Sequence, residues 1–391
     1  YIASMAALAR ELRDVPCVLG FETLNEPHPG WLGSEDLGRP SPGPITSGQS
    51  PLQQLRQCAG SAGVWAEGRC LWARAGVWDQ ASGEALDAGR FRCDDWMGEC
   101  FAPFVHRFAA AIREAMPRAL VGVCPPAFGA ESKRPFPGAL PEAAVWMPHF
   151  YDGAVLVAKA WNPNVGIEET PEGETLLGGL LPAPPIRPVF GLEARVASYR
   201  RQMRSRGELA GARPAPVILG ETGVPFDLGG RAPRRAEDLV PVGEAIDAHF
   251  RALEEDFLPS CWWNYTPENS HERGDGWNGE NLSIFCAEGG GGRCLPSVVR
   301  PGLVLCAGVP VAQSFALAEG LYRCEFDAAA GGETAFFVPR LHYARQATSV
   351  SATPGCEVTW DEAAQTLVCR TSRAGRVCLE LRRRGERPGA A

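Results

Sequence analysis

The sequence lacks the patterns that mark several classes of protein. Its 14 cysteines include no Cys-x-x-Cys pair, so they predict neither a zinc site nor a disulfide framework. The net charge is -8 and no long basic run is present, which argues against nucleic acid as a partner. The longest uncharged run, residues 301–318, is broken by proline and glycine. It falls short of the ~20 mostly apolar residues that a transmembrane helix needs.

The chain also lacks an initiating methionine and a signal-peptide pattern, and it opens at Tyr1 within a helical pattern of apolar residues. We therefore expect a truncated amino terminus, with any targeting signal outside this sequence. Scattered cysteines without a pairing pattern favour a reducing, cytoplasmic location.

What is present predicts an α/β fold followed by a β domain. The 391 residues suffice for one large domain and a small one. Helical and strand patterns alternate through residues 1–306, as in a parallel α/β fold, and two long connections interrupt them at 28–92 and 152–188. Short strand patterns between turns predict a small β-sandwich over 307–385, and residues 386–391 form a polar tail.

Two predicted strands end in carboxylates. Glu26 follows the apolar run 17–21, and Glu221 lies at the end of the apolar run 217–220. In an α/β barrel the carboxyl ends of the strands carry the chemistry. Retaining glycoside hydrolysis needs two carboxyl groups about 5 Å apart, one as acid/base and the other as nucleophile. We assign Glu26 to the first role and Glu221 to the second.

Further polar and aromatic residues lie at the same predicted edge. Asn25 precedes the acid/base and suits a sugar hydroxyl, and Trp263 at the last strand suits the face of a sugar ring. His149 and Tyr151 are two residues apart on one strand, so both face the same side. Each of these residues alone also fits a purely structural role.

Five tryptophans between residues 31 and 96 leave two interpretations open, a sugar- or lipid-binding surface or a small satellite core. The uncharged apolar segment 175–186 likewise fits either a lipid contact or a packed loop.

The order of these residues resembles the retaining (β/α)8-barrel glycosidases, and glycoside hydrolase family 5 in particular. Three segments resemble the endoglycoceramidase-related branch of this family, in particular its steryl-β-glucosidase and glucosylceramidase members. They are Gly20-Phe-Glu-Thr-Leu-Asn-Glu-Pro27, Trp263-Asn-Tyr-Thr-Pro-Glu268 and Trp277-Asn-Gly-Glu-Asn-Leu-Ser283.

The resemblance implies a retaining hydrolase that removes β-glucose from a steryl glucoside or from glucosylceramide. It implies no metal and no organic cofactor, transient contact with a membrane surface, and a glucose-binding role for Glu268, for which a solvated loop carboxylate is the alternative. Two other readings stay open: an endo-β-glucanase of the same family, and a non-catalytic fragment that binds carbohydrate or lipid.

In one respect the chain departs from this family. Its first strand matches the fourth strand of the (β/α)8 TIM barrel, so the pattern predicts a partial barrel with strands 4–8 present and the first three missing. A gap of this kind exposes sheet edges. We expect the 391-residue chain to be poorly stable and inactive or nearly so, and its full-length parent to be active.

Overall fold

The computed structural model describes residues 1–40, 48–59, 65, 68–127, 129–170, 175–176, 181–182 and 186–384. The chain divides into two compact units, residues 1–148 with 206–217 and residues 149–205 with 218–391. Among the described residues, no helix combines the length and the apolar character needed to cross a bilayer. No disulfide joins any of the 14 cysteines, all of which the structure describes.

The first unit is built on a short parallel sheet. Helix α1 (Ile2–Leu12) leads to β1 (Gly20–Glu22), and helices α2 (Pro51–Ala59), α3 (Leu71–Arg74) and α4 (Ala102–Ala115) lead to β2 (Leu120–Val123) and β3 (Ala144–Trp146). The strands pair in parallel in the order β1-β2-β3. The predicted helix–strand alternation is thus confirmed here. Strand β1 lies so close to β2 that a Cβ at Gly20 would approach the Leu120 carbonyl oxygen to 2.0 Å.

The connection 28–92 contains a small core of its own. Helices α2 and α3 fold within it, and Trp78 is buried together with Val77 and Leu55. Trp31, Trp65 and Trp72 pack against this cluster, whereas Trp96 packs against the main core of the unit. Of the two interpretations that the sequence left open, the satellite core accounts for four of the five tryptophans.

The second unit begins with another parallel sheet. It contains β4 (His149–Phe150), α5 (Gly153–Ala158), β5 (Val165–Glu169), β6 (Thr175–Leu176), β7 (Leu181–Pro182), β8 (Ile186–Phe190), α6 (Leu192–Gly207, whose last two residues belong to the first unit), β9 (Leu219–Thr222), α7 (Val240–Glu255) and β10 (Ser260–Trp262). Strand β9 lies between β10 and β4, parallel to both. Antiparallel hairpins β5–β8 and β6–β7 occupy the connection 152–188, and the side chains of residues 171–185 lie outside the described part.

The rest of the unit is antiparallel. A hairpin, β11 (Phe285–Cys286) and β12 (Gly291–Gly292), precedes α8 (Leu295–Val298). Eight strands follow: β13 (Gly302–Leu305), β14 (Gly308–Ala316), β15 (Leu321–Ala328), β16 (Glu333–Phe337), β17 (Thr348–Ala352), β18 (Cys356–Asp361), β19 (Thr366–Thr371) and β20 (Gly375–Arg383). They form two four-stranded sheets, ordered β13-β16-β19-β18 and β14-β15-β20-β17. Both contribute to one apolar core, and β13 joins them although it precedes residue 307.

A buried ion pair joins helix α7 to this antiparallel part. The Arg300 Nε and Nη2 atoms donate to the Glu254 carboxylate at 2.7 and 2.8 Å, and its Nη2 also donates to the Phe315 carbonyl at 3.3 Å. Asp247 is a further partner of the same guanidinium. Burial raises the pKa of the Glu254 carboxyl, against the opposing effect of Arg300. Removing Arg300 therefore leaves buried carboxylates without their cation.

We predict that Arg300→Met lowers the free energy of unfolding by about 3–5 kcal/mol, because a broken buried pair leaves an uncompensated charge. Arg323→Met is the matched control, since the Arg323–Glu380 pair is half exposed. It should cost less than about 1 kcal/mol. Urea unfolding followed by tryptophan fluorescence measures both, and equal losses in the two variants would contradict the assignment.

Candidate active site

Glu26 lies in a turn that is tied to strand β2. After β1 ends, the Thr23 N–H donates to the Gly122 carbonyl at 2.9 Å, and the Thr23 hydroxyl accepts from the Cys124 N–H at 3.1 Å. The Glu26 N–H in turn donates to Cys124 Sγ at 3.2 Å. Glu26 is half-buried with φ of +40°, an unusual value for a residue other than glycine. The neighbouring Asn25 is exposed.

Glu221 is held by two side chains from the adjacent strand. Strands β4 and β9 pair in parallel with His149 opposite Glu221. The Tyr151 hydroxyl donates to Glu221 Oε1 at 2.7 Å, and His149 Nδ1 lies 3.8 Å from the same oxygen. The His149 side chain is 3% exposed and that of Glu221 16% exposed. The predicted common side of His149 and Tyr151 is confirmed, because both approach one carboxylate oxygen.

Trp263 follows β10 directly, and hydrogen bonds fix both its backbone and its side chain. Its backbone N–H donates to the Thr222 carbonyl at 2.8 Å, and its indole N–H donates to Glu280 Oε2 at 3.2 Å. The Trp277 ring meets it edge to face with centroids 5.4 Å apart. A Cβ at Gly223 would come within 2.3 Å of the Trp263 carbonyl oxygen, so this close approach requires glycine.

The loop after Trp263 is organised by a buried carboxylate, Asp275. The side-chain amides of Asn264 and Asn269 donate to it at 3.2 and 2.7 Å, and the backbone N–H groups of Leu282 and Ser283 donate at 2.8 and 3.3 Å. Four donors compensate for the burial of this charge. The loop is therefore a defined structure.

A buried arginine, Arg293, supports the same loop. It donates to Asn281 Oδ1 at 2.9 Å and to the Ser283 carbonyl at 3.0 Å, and its guanidinium lies 3.9 Å from the centre of the Phe226 ring. Burial lowers the pKa of this arginine. Residues 277–283 carry part of the resemblance, but the sequence does not predict the structural roles of Asp275, Asn281 and Arg293. Glu268, a predicted glucose ligand, is exposed on this loop.

Comparison with known proteins identifies related sequences and structures. Residues 300–378 match the family model described as the glycoside hydrolase family 5 C-terminal domain. A glucosylceramidase of Rhizopus delemar is 26% identical over 440 residues, covering 94% of this chain and 62% of the relative. The ergosteryl-beta-glucosidase of Saccharomyces cerevisiae is 24% identical over 340 residues, covering 71% of this chain and 44% of the relative. The crystal structure of Cryptococcus neoformans sterylglucosidase 1 matches with a TM-score of 0.77 and 20% identity over 98% of this chain and 67% of that one.

The predicted relation of this chain to the glucosylceramidases and steryl glucosidases of glycoside hydrolase family 5 is thereby confirmed. The structural neighbours of the chain are TIM-barrel enzymes with mixed α/β content. The chain spans less than two thirds of the length of either sequence relative.

A buried polar cluster lies next to strand β4. Asp152, next to Tyr151, accepts from Arg195 Nη2 at 2.6 Å and from the Tyr199 hydroxyl at 2.5 Å. Its carboxylate also caps helix α5 by accepting from two backbone N–H groups. Burial alone would raise the pKa of Asp152, but these donors hold it below its ordinary value. Burial and the nearby Asp152 raise the pKa of Tyr199 well above the ordinary value.

His249 packs against this cluster with its ring centroid 4.6 Å from that of Tyr199. It is fully buried, and its Nδ1 lies 3.1 Å from the Ala245 carbonyl oxygen. Its Nε2 atom has no hydrogen-bond partner among the described residues. Burial lowers the pKa of His249 to about 4, so the folded chain holds this ring neutral.

This pKa predicts an acid-dependent loss of stability. His249 takes up a proton near pH 6.5 in the unfolded chain and near pH 4 in the folded chain. Its contribution to the free energy of unfolding is therefore fully present above about pH 6.5 and is lost as the pH falls toward 4. Between about pH 7 and pH 5, the free energy of unfolding should fall by about 2 kcal/mol more in the unmodified chain than in His249→Phe.

Urea unfolding at a series of pH values measures this difference. His106→Phe is the matched control, because His106 is exposed and should keep the pH dependence of the unmodified chain. Identical pH profiles in the unmodified chain and in His249→Phe would contradict the assignment.

Proposed function

We propose that the whole protein is a retaining glycoside hydrolase that removes β-glucose from a lipid glucoside, either a steryl glucoside or glucosylceramide, by double displacement. The observation that carries this proposal is the strand-end carboxylate of Glu221, held by the Tyr151 hydroxyl at 2.7 Å with His149 beside it. A glycosidase nucleophile must be ionised and aimed at carbon one of the sugar. A phenol that donates to one oxygen orients the carboxylate for that attack.

In this proposal Glu221 attacks carbon one and forms a covalent glucosyl-enzyme, while Glu26 protonates the leaving oxygen of the lipid alcohol. Glu26 then takes a proton from water, which attacks carbon one and releases glucose with its β configuration retained. The support for Glu26 is its place after a parallel strand and its fixed turn on Cys124. A half-buried carboxyl group suits a residue that must exchange its proton with substrate and water.

The remaining proposed residues bind the sugar. Asn25 lies beside the acid/base and is exposed, so its amide can reach a hydroxyl near the reacting carbon. Trp263 presents an indole whose N–H is already occupied by Glu280, which leaves its ring for stacking against apolar faces of glucose. Glu268 on the same loop is exposed, and we propose that it binds glucose hydroxyls.

We further propose that β1, β2, the β3–β4 pair, β9 and β10 correspond to strands 4–8 of a (β/α)8 barrel. Their parallel pairing within each sheet and their separation by helices support this. Residues 1–306 then form the barrel part, and residues 307–385 a β-sandwich whose two sheets share one core.

The lipid class of the substrate rests on the relatives, whose names specify glucosylceramide and ergosteryl glucoside hydrolysis. A substrate of this kind resides in a bilayer, so we propose transient contact of the enzyme with a membrane surface during turnover.

The test is hydrolysis of a steryl glucoside, glucosylceramide and cellobiose by the full-length gene product. We expect release of glucose from one of the two glycolipids, little from cellobiose, and a loss of at least about a thousandfold in Glu221→Gln, because the amide is a poor nucleophile. Preference for cellobiose would favour the endo-β-glucanase reading. Unchanged activity in Glu221→Gln would remove that residue from its role.

Glu26→Ala supplies an independent readout. Azide can replace a missing acid/base in the second step because it attacks the glucosyl-enzyme without needing general-base help. With an activated aryl glucoside, azide should therefore restore turnover of Glu26→Ala and yield β-glucosyl azide. In Glu221→Ala the product should be α-glucosyl azide, because only one displacement occurs. The same product from both variants would contradict the assignment of roles.

A further inference from the structure

Three side chains with metal-binding atoms meet beside the hairpin β11–β12. His271 comes from the loop after β10, Cys286 is the last residue of β11, and Glu288 lies in the turn of the hairpin. One ligand atom from each lies within 4.8 Å of the other two. The Glu288 carboxylate already accepts from the His271 backbone N–H at 2.7 Å and lies 3.5 Å from its Nδ1.

Gly289 lies beside these atoms. A Cβ on Gly289 would lie 3.7 Å from His271 Nε2 and 3.9 Å from Cys286 Sγ. Both donors therefore border the same position, which a longer side chain would fill. Cys286 is fully buried and His271 largely so, whereas Glu288 is exposed. The cluster is thus rigid on the thiol side and adjustable on the carboxylate side.

We propose that His271, Cys286 and Glu288 bind a zinc ion, with water as the fourth ligand. A thiolate, an imidazole and a carboxylate form the donor set that zinc takes in preference to magnesium or calcium. Metal–ligand distances of about 2.0–2.3 Å in a tetrahedron place the ligand atoms roughly 3.3–3.7 Å apart. In the spacing seen, the three ligand atoms lie within 4.8 Å of one another, so a bound ion would draw them closer, and the exposed Glu288 side chain is free to rotate toward it. Binding releases the thiol proton of Cys286 to solvent.

The position of the site indicates a structural role. Cys286 and Glu288 belong to the hairpin that follows Ser283, and His271 belongs to the loop organised by Asp275. A zinc ion here would cross-link the two segments. The sequence alone does not predict it, because the ligands follow no recognised zinc spacing and two of the three are separated from the third by more than a dozen residues.

Cobalt serves as the probe, because a thiolate bound to Co²⁺ gives a near-ultraviolet charge-transfer band that a carboxylate or imidazole alone does not. We expect the band to appear when Co²⁺ is added to the metal-free chain and to saturate at one equivalent of Co²⁺. Addition of Zn²⁺ should displace the cobalt and abolish the band. Cys286→Ser should abolish the band, and Glu288→Gln should weaken cobalt binding by roughly 10–100-fold. Cys378→Ser is the matched control, since Cys378 is exposed on β20, and it should leave the band unchanged.

A second measurement tests the proposal even if Cys286→Ser does not fold. Zn²⁺ should raise the thermal midpoint of the unmodified chain and of Cys378→Ser, and should not raise that of His271→Gln, whose fold is checked by circular dichroism. The proposal is overturned if no saturable charge-transfer band forms. It is equally overturned if the band survives in a folded Cys286→Ser, or if Zn²⁺ stabilises His271→Gln as much as the unmodified chain. None of these readouts depends on glycoside hydrolysis.

Discussion

The candidate nucleophile depends on one interaction, the hydrogen bond from the Tyr151 hydroxyl to Glu221 across two neighbouring parallel strands. The backbone register that places His149 opposite Glu221 brings the three side chains to one strand end. That register is secured from behind, because the next residue, Asp152, is bound by Arg195 and Tyr199 from helix α6. These charge-assisted hydrogen bonds and the helix cap fix the position of Asp152 relative to helices α5 and α6.

The same logic applies to the loop after β10. Trp263 is positioned by its neighbours on β9 and by Glu280, and Glu280 belongs to a loop whose shape depends on the buried Asp275. The hydrogen-bond donors to the Asp275 carboxylate are side-chain amides and backbone N–H groups, and they compensate for its buried charge. This explains how a long loop rich in glycine and polar residues can hold an aromatic side chain in one place.

Features that depend on residues close together in the sequence could be predicted from it, whereas contacts between distant residues could not. Helices α4 and α7 carry apolar residues at helical spacing, and the strand that carries Glu221 follows a short apolar run, so the alternation of helices and strands could be predicted. The sequence singled out Glu221 as a carboxylate at a strand end, and it placed His149 and Tyr151 on one side of another strand by their spacing of two residues. The role of Asp275 and the meeting of His271 with Cys286 were not predicted, because pairings between distant loop residues leave no periodic trace. For the same reason the sequence left two interpretations open for the tryptophans of 28–92, and the structure shows a small core there.

The most direct test of the account is to trap the glucosyl-enzyme. A 2-deoxy-2-fluoroglucoside with a good leaving group slows both steps by destabilising the oxocarbenium-like transition state, and the leaving group restores the first step only, so the covalent intermediate accumulates. Mass spectrometry of peptides from the full-length gene product then locates the sugar. The account predicts a fluoroglucosyl ester on Glu221, and its absence from Glu221→Gln. An ester on Glu26 or on any other residue, or hydrolysis with inversion at carbon one, would contradict it.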